Sequence, residues 1–300
     1  MRRDGGPGLP MTLYRQFKNQ AELDAQYDVE KSVPDFMVYA RHFIDESKLA
    51  RHRLRCELDV PYGPTRDEHV DVFPAGAGPR APILVFIHGG YWRMLSSKEF
   101  SCVAFGPVAA GVAVVNVNYS LCPKVTIDEI SRQARAAVAW TWRNAESFGG
   151  DRDRIYVCGH SAGGHLTAMC LNTDWAGDYG LPDDVIKGAM PVSGLFDIKP
   201  IRYTLMQPLL QFTGDQVERN SPILHIRRNP VPMVLTWGAD EPEEFARQSC
   251  DFGHAWEAAG NRCETWAQPG ANHFTAIYGF EDQKSELCRR LFRLMGVRPA

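Results

Sequence analysis

Arg154-Ile-Tyr-Val-Cys-Gly-His-Ser-Ala-Gly-Gly-His-Leu-Thr167 is the stretch on which the reading of this chain turns. Ile155, Tyr156, Val157 and Cys158 form a short apolar, partly β-branched run, the pattern of a buried strand. Gly159-His-Ser-Ala-Gly163 then matches G-x-S-x-G, and Leu166, Met169 and Cys170 recur behind it at helical spacing. The expected element is a strand, one tight turn and a helix, with Ser161 on the turn. A nucleophile held there needs small residues two before and two after it, because strand and helix pass close to each other. The helix N-terminus adds a positive dipole end and free N–H groups where an oxyanion would develop.

Working outward, residues 82–87 and 112–117 are continuous apolar runs, as expected of parallel strands covered by helices on both faces. Residues 187–192, 231–237 and 263–267 read as further strands, and 54–60 with 70–73 as a leading antiparallel hairpin. Asn19-Gln-Ala-Glu22 resembles a capping box opening a short helix that ends near Tyr27. Phe36, Tyr39, Ala40, Phe43 and Ile44 make an amphipathic helix face, read first as packing on the sheet and second as a wall over the active site. Helices are also expected over 130–148, stopped by Gly149-Gly150, and over 284–295. Strands and helices alternating in this way predict an α/β fold with a mostly parallel, doubly wound sheet. The chain divides into a disordered leader over 1–10 and a single domain over 11–300. That domain starts with a helical segment over 11–50 and carries a small helical cap over about 196–230.

Hydrophobic residues make up 44% and charged residues 23% of the 300, which is ample for a sizeable core. A net charge of -3 gives no reason to expect nucleic acid or an anionic membrane as partner. No apolar run approaches the ~20 residues that span a bilayer. The two arginines after Met1 are followed by no apolar h-region, so no secretory signal is read there. None of the eight cysteines falls in a CxxC pair, and they read as reduced thiols of a cytoplasmic protein. The sequence leaves a homo-oligomer open and does not decide it.

Ligands of such sheets bind outside the carboxyl ends of the strands, so the partners of Ser161 are sought there. Gly238-Ala-Asp-Glu241 follows the 231–237 run, and Asp240 is the expected acid, with Glu241 as runner-up. Pro269-Gly-Ala-Asn-His-Phe274 follows the 263–267 run and presents His273. The order Ser161, Asp240, His273 is that of the α/β-hydrolases. His88-Gly-Gly-Tyr-Trp92 follows the 82–87 run. Its glycines let the loop turn N–H groups toward a carbonyl oxygen, so Gly89, Gly90 and Tyr91, with Ala162 after the nucleophile, are the expected oxyanion hole. Tyr91, Trp92 and His160 are candidate pocket residues. His88 and His165 are read as structural.

Several stretches together resemble the kynurenine formamidase (arylformamidase) group of the α/β-hydrolase superfamily, near the hormone-sensitive-lipase-like esterases. These are His88-Gly-Gly-Tyr-Trp92, Asn118-Tyr119 with Pro123, Gly159-His-Ser-Ala-Gly-Gly-His-Leu166, Ser193-Gly-Leu-Phe-Asp197, Ser221-Pro222 and Glu244-Phe-Ala-Arg-Gln-Ser249. The resemblance runs from about residue 20 to about residue 295. Its most specific part is HGG followed by an aromatic pair, where the esterases carry HGGG. It implies a triad of Ser161, Asp240 and His273, with no metal and no organic cofactor. The implied substrate is a small acyl amide or ester, N-formyl-kynurenine first, with a carboxylesterase of short acyl or aryl esters as the alternative. A non-catalytic ligand-binding protein on the same fold is disfavoured, because all three triad positions are filled.

Overall fold

The computed structural model describes residues 12–76 and 80–298, so the leader expected over 1–10 lies outside the described residues. In chain order the elements are α1 (Gln20–Tyr27), α2 (Phe36–Arg53), β1 (Glu57–Pro61), β2 (His69–Phe73), β3 (Ala81–Ile87), α3 (Phe105–Ala109), β4 (Ala113–Val117) and α4 (Ile127–Asn144). There follow β5 (Gly150–His160), α5 (Ala162–Leu171), α6 (Trp175–Tyr179), β6 (Ile186–Val192), α7 (Gln207–Leu210), α8 (Gly214–Arg219), β7 (Met233–Gly238), α9 (Glu243–Ala258), β8 (Cys263–Gln268) and α10 (Glu286–Met295). The eight strands form one sheet in the order β1-β2-β4-β3-β5-β6-β7-β8. β1 and β2 are antiparallel to their neighbours, and every pair from β4 to β8 is parallel. This is the α/β-hydrolase architecture.

Local chemistry explains the element ends. The Asn19 side chain accepts from the Glu22 N–H at 3.0 Å, while the Glu22 carboxylate accepts from the Lys18 N–H, which starts α1. At α4 the Thr126 hydroxyl oxygen accepts from the Glu129 N–H. α4 is shorter than the periodicity predicts, because Ala145–Phe148 tightens into a 3₁₀ turn closed by Gly149 at φ 75°. Residues 196–230 contain no strand; they carry α7, α8 and the 3₁₀ turns Pro200–Tyr203 and Pro222–Leu224.

Nearly all of β3 and the whole of β4 are buried, which is why their sequences are apolar without alternation. In the register Val85 faces Val157 and Ile87 faces Gly159, so the loop after β3 emerges beside the loop after β5. α5 packs on β3, β5 and β6 at that point. A Cβ on Gly163 would lie 1.9 Å from the Ile87 carbonyl oxygen, and one on Gly159 would lie 2.2 Å from the Gly163 oxygen. The helix therefore sits on the sheet at a distance only hydrogen allows.

Gly163→Ala should destabilise the protein by about 1–3 kcal/mol or more, since α5 must back away from β3. Gly76→Ala, where no heavy atom lies within 4 Å of an added Cβ, should stay within about 0.5 kcal/mol of wild type. Urea denaturation of the two variants measures both values, and equal midpoints would refute the packing argument.

Candidate active site

Ser161 occupies the single residue between β5 and α5, with φ 56° and ψ −115°. A non-glycine residue in that region is strained, and it is held there by its own N–H bonded to the Val192 oxygen at 2.8 Å. The turn places Ser161 on the wall of a cavity of about 100 Å³, which His160, His273, Gly90 and Tyr91 also line.

His273 lies beyond β8 with its side chain 3% exposed. Its Nδ1 is 2.8 Å from Glu241 Oε2, and the ring packs against Phe245 at a centroid distance of 4.6 Å. The other carboxylate oxygen of Glu241, Oε1, accepts from the Gly238 N–H at 2.6 Å and from the Ser193 hydroxyl. The carboxylate is 1% exposed, and both of its oxygens are satisfied.

The carboxylate that pairs with His273 is therefore Glu241, the runner-up, and not Asp240. β7 ends at Gly238, and the Glu241 N–H returns to the Gly238 oxygen at 3.2 Å, so the turn carries residue 241 back beneath the sheet end. Asp240 is spent on the outside of the turn: its N–H bonds to the Ala271 oxygen and the residue is exposed. Ser193, which orients the carboxylate, carries no catalytic signal in the sequence. Its place just past β6, at φ 51°, is what marks it.

The loop after β3 has three successive residues at positive φ: Gly90 (111°), Tyr91 (49°) and Trp92 (55°). At Gly90 a side chain is excluded, because a Cβ would lie 2.2 Å from the Met94 oxygen. The Gly90 oxygen takes the N–H groups of Arg93 and Met94. Among the described residues the N–H groups of Gly90, Tyr91 and Ala162 have no protein acceptor. Gly89 lies against the nucleophile, with the position of an added Cβ 3.3 Å from Ser161 Cβ. These are the groups expected to form an oxyanion hole.

The two aromatic residues of this loop part company. Tyr91 lines the cavity, and its hydroxyl donates to the Tyr27 oxygen. Trp92 does not line the cavity. It is fully buried, donates from Nε1 to His165 Nδ1 at 3.2 Å and meets Phe212 edge-on. His165 donates in turn from Nε2 to the Asn220 oxygen at 2.7 Å. His88 is stacked on Tyr119 at 4.1 Å and bonded to the Gly89 oxygen. Phe36, Ala40, Phe43 and Ile44 of α2 form a further part of the cavity wall, with Phe100 and Phe274 beside them. None of residues 196–230 lines it. Among the described residues no group of three or more His, Cys, Asp or Glu is disposed to hold a metal ion.

A strained serine on a strand–helix turn, a buried carboxylate–imidazole pair and an unpaired N–H loop, all past the ends of a parallel sheet, define a hydrolase of the α/β type. A family model described as BD-FAE matches residues 71–255. The kynurenine formamidase of Danio rerio is 32% identical over 92% of this chain and 96% of its own length. That of Salmo salar is 34% identical over 82% of this chain and 84% of its own. Esterase LipQ of Mycobacterium tuberculosis is 28% identical over 72% of this chain and 56% of its own. Among solved structures, a candidate thioesterase from Silicibacter sp. tm1040 superimposes with a TM-score of 0.79 at 29% identity, covering 89% of this chain and 98% of that one. The chain belongs to the BD-FAE family, within the α/β-hydrolase superfamily, and is a homologue of the kynurenine formamidases.

Burial pushes the imidazoles of His88 and His165 down to about 4, and that of His160 well below the ordinary histidine range. In the unfolded chain they take up protons from about pH 6.5 downward, and in the native state they do not. Each therefore contributes stability that is complete above pH 6.5 and is lost at about 1.4 kcal/mol per pH unit toward pH 4. Denaturation midpoints between pH 7 and pH 4.5 should fall accordingly, and His165→Gln should flatten the slope by that one-proton amount. A slope unchanged in the variant would show that His165 is charged in the native protein.

Proposed function

We propose that this protein is an arylformamidase that hydrolyses N-formyl-kynurenine to kynurenine and formate through an acyl-enzyme. The observation that carries the reading is the fully buried Glu241–His273 pair on the cavity that Ser161 lines.

Ser161 Oγ attacks the formyl carbon while His273 Nε2 takes the hydroxyl proton. Glu241 keeps the Nδ1 proton of His273 in place and stabilises the imidazolium that forms. Negative charge moves onto the carbonyl oxygen, where the N–H groups of Gly90, Tyr91 and Ala162 receive it. The C–N bond then breaks, His273 returns the proton to the leaving amine, and the aryl amine departs. Water adds to the formyl ester by the same route in reverse, releasing formate and Ser161. The atoms balance with one water consumed.

Three further observations support a small acyl group on an aromatic partner. The relatives of highest identity given above are formamidases over nearly the full chain. Tyr91 stands on the cavity wall with Gly90 and Ser161, a bulky ring beside the serine where a long acyl chain would need room. Phe36, Phe43, Tyr91, Phe100 and Phe274 give it aromatic walls, suited to an aryl leaving group. A carboxylesterase of short acyl or aryl esters is the second reading, favoured by the esterase relative LipQ. A cytoplasmic site of action is part of the proposal, supported by eight cysteines that all stand as free thiols.

Glu241→Gln should lower kcat by about 10⁴, whereas Asp240→Asn should stay within a few-fold of wild type. Steady-state rates of both variants check this, and the reverse ranking would return the acid to Asp240. The substrate class is tested by kcat/KM on N-formyl-kynurenine, formyl and acetyl anilides, and p-nitrophenyl acetate, butyrate and octanoate. A steep fall with acyl length and a preference for formyl anilides are expected, at about 1–3 kcal/mol per methylene that does not fit. A rate rising toward octanoate, with no turnover of formyl anilides, would leave an esterase.

A further inference from the structure

His160 is buried beside Ser161 on the cavity wall, and the reaction just described does not use it. Its Nε2 lies 2.8 Å from the main-chain oxygen of His273. A carbonyl oxygen only accepts, so Nε2 carries the ring proton and Nδ1 is a bare lone pair. That Nδ1 is buried without a hydrogen-bond partner, against Gly89 of the oxyanion loop, where an added Cβ would stand 3.2 Å from it. The two imidazole rings are 4.7 Å apart between centroids.

We propose that His160 is a positioning residue for His273, acting through the Nε2–H bond to the His273 carbonyl while remaining a neutral group. The inference rests on the serine-hydrolase reading of Ser161 and His273. His273 is then held at two points, by Glu241 at the ring and by His160 at the main chain. Without the second, the loop of residues 269–274 can shift the imidazole relative to Ser161 while the Glu241 contact persists. Neutrality matters because His273 becomes an imidazolium during the reaction. A charged donor in the place of His160 would hold the carbonyl but would oppose that charge at van der Waals range. An apolar residue would avoid the repulsion but would leave the buried His273 carbonyl without its donor. An imidazole kept neutral by burial does both jobs, and the unpaired Nδ1 is the cost that accompanies them.

The test compares His160→Gln, whose side-chain N–H can reach the carbonyl, with His160→Asn, which is polar but one methylene short. His160→Ala is a second short variant, used if Asn does not fold. The readouts are kcat and KM on p-nitrophenyl acetate, the rate at which a fluorophosphonate probe labels Ser161, and the thermal midpoint of each protein. The short variant should lose about 10²-fold in kcat and in labelling rate at unchanged KM, the scale of a misplaced catalytic group. Gln should recover most of that loss. Equal rates for Gln and the short variant, or a loss expressed in KM, would overturn the proposal. If wild type itself neither turns over nor labels, the serine-hydrolase reading fails instead.

Discussion

The contact on which the rest depends is the one between α5 and β3, where the Gly163 Cα meets the Ile87 carbonyl with no room for a methyl group. That approach fixes the tilt of α5, and the tilt forces Ser161 into its positive-φ turn. It also fixes where β3 ends, and hence where the loop of Gly89 to Tyr91 leaves the sheet. Nucleophile and candidate oxyanion donors are thus set relative to each other by backbone packing, before any side chain is chosen. Strain at Ser161 costs on the order of 1–3 kcal/mol and persists because the surrounding ladder over-determines it.

Buried carboxylates hold the outer parts of the site together, each with its oxygens occupied. Burying a charge is costly unless it is hydrogen-bonded on all sides, and these are. Glu241 ties the turn after β7 to Ser193 after β6 and to His273 after β8. Glu244 on α9 takes the Tyr27 hydroxyl of α1 at 2.7 Å and is paired with Arg247. The Tyr27 carbonyl in turn receives the hydroxyl of Tyr91. A continuous path therefore runs from α9 through α1 to the loop after β3, and the side chain of Tyr91 is anchored by it.

The parallel strands were legible because strands buried on both faces leave unbroken apolar runs, and motif and chain order singled out Ser161 and His273, which line one cavity. Which carboxylate pairs with His273 was not legible to one residue. Whether Asp240 or Glu241 turns inward depends on how the chain leaves Gly238, and adjacent carboxylates give no periodicity to read. The fate of Trp92 was hidden for a similar reason: two consecutive left-handed residues send neighbouring side chains to opposite destinations, one to the cavity and one to His165. The inward face of α2 misled in a third way. A 3.6-residue apolar stripe looks the same whether it rests on solid core or roofs a cavity.

That roof is where specificity has room to vary. α2 is clamped to the histidine loop itself: Asn272 donates to the Tyr39 hydroxyl at 2.9 Å, and Phe274 packs on Tyr39 and Phe36. Farther along, His42 stacks on Tyr278 at 4.0 Å and pairs with Glu281. The BD-FAE match begins only at residue 71, after this helix has ended. The match to the Danio rerio formamidase spans more of the chain than residues 71–300 contain, so it takes in part of the segment before the family core. The strands from β3 to β7, the serine turn and Glu241 thus lie within the family match, whereas β8 and His273 lie beyond its end at residue 255. Much of the cavity wall is built by a segment before that match, held chiefly against the 3₁₀ turn Ser97–Ala104 and also by the residues next to His273. On the proposed serine-hydrolase reading, a change in α2 acts on the cavity and on the placement of His273 together, so that acyl-group preference and turnover are coupled.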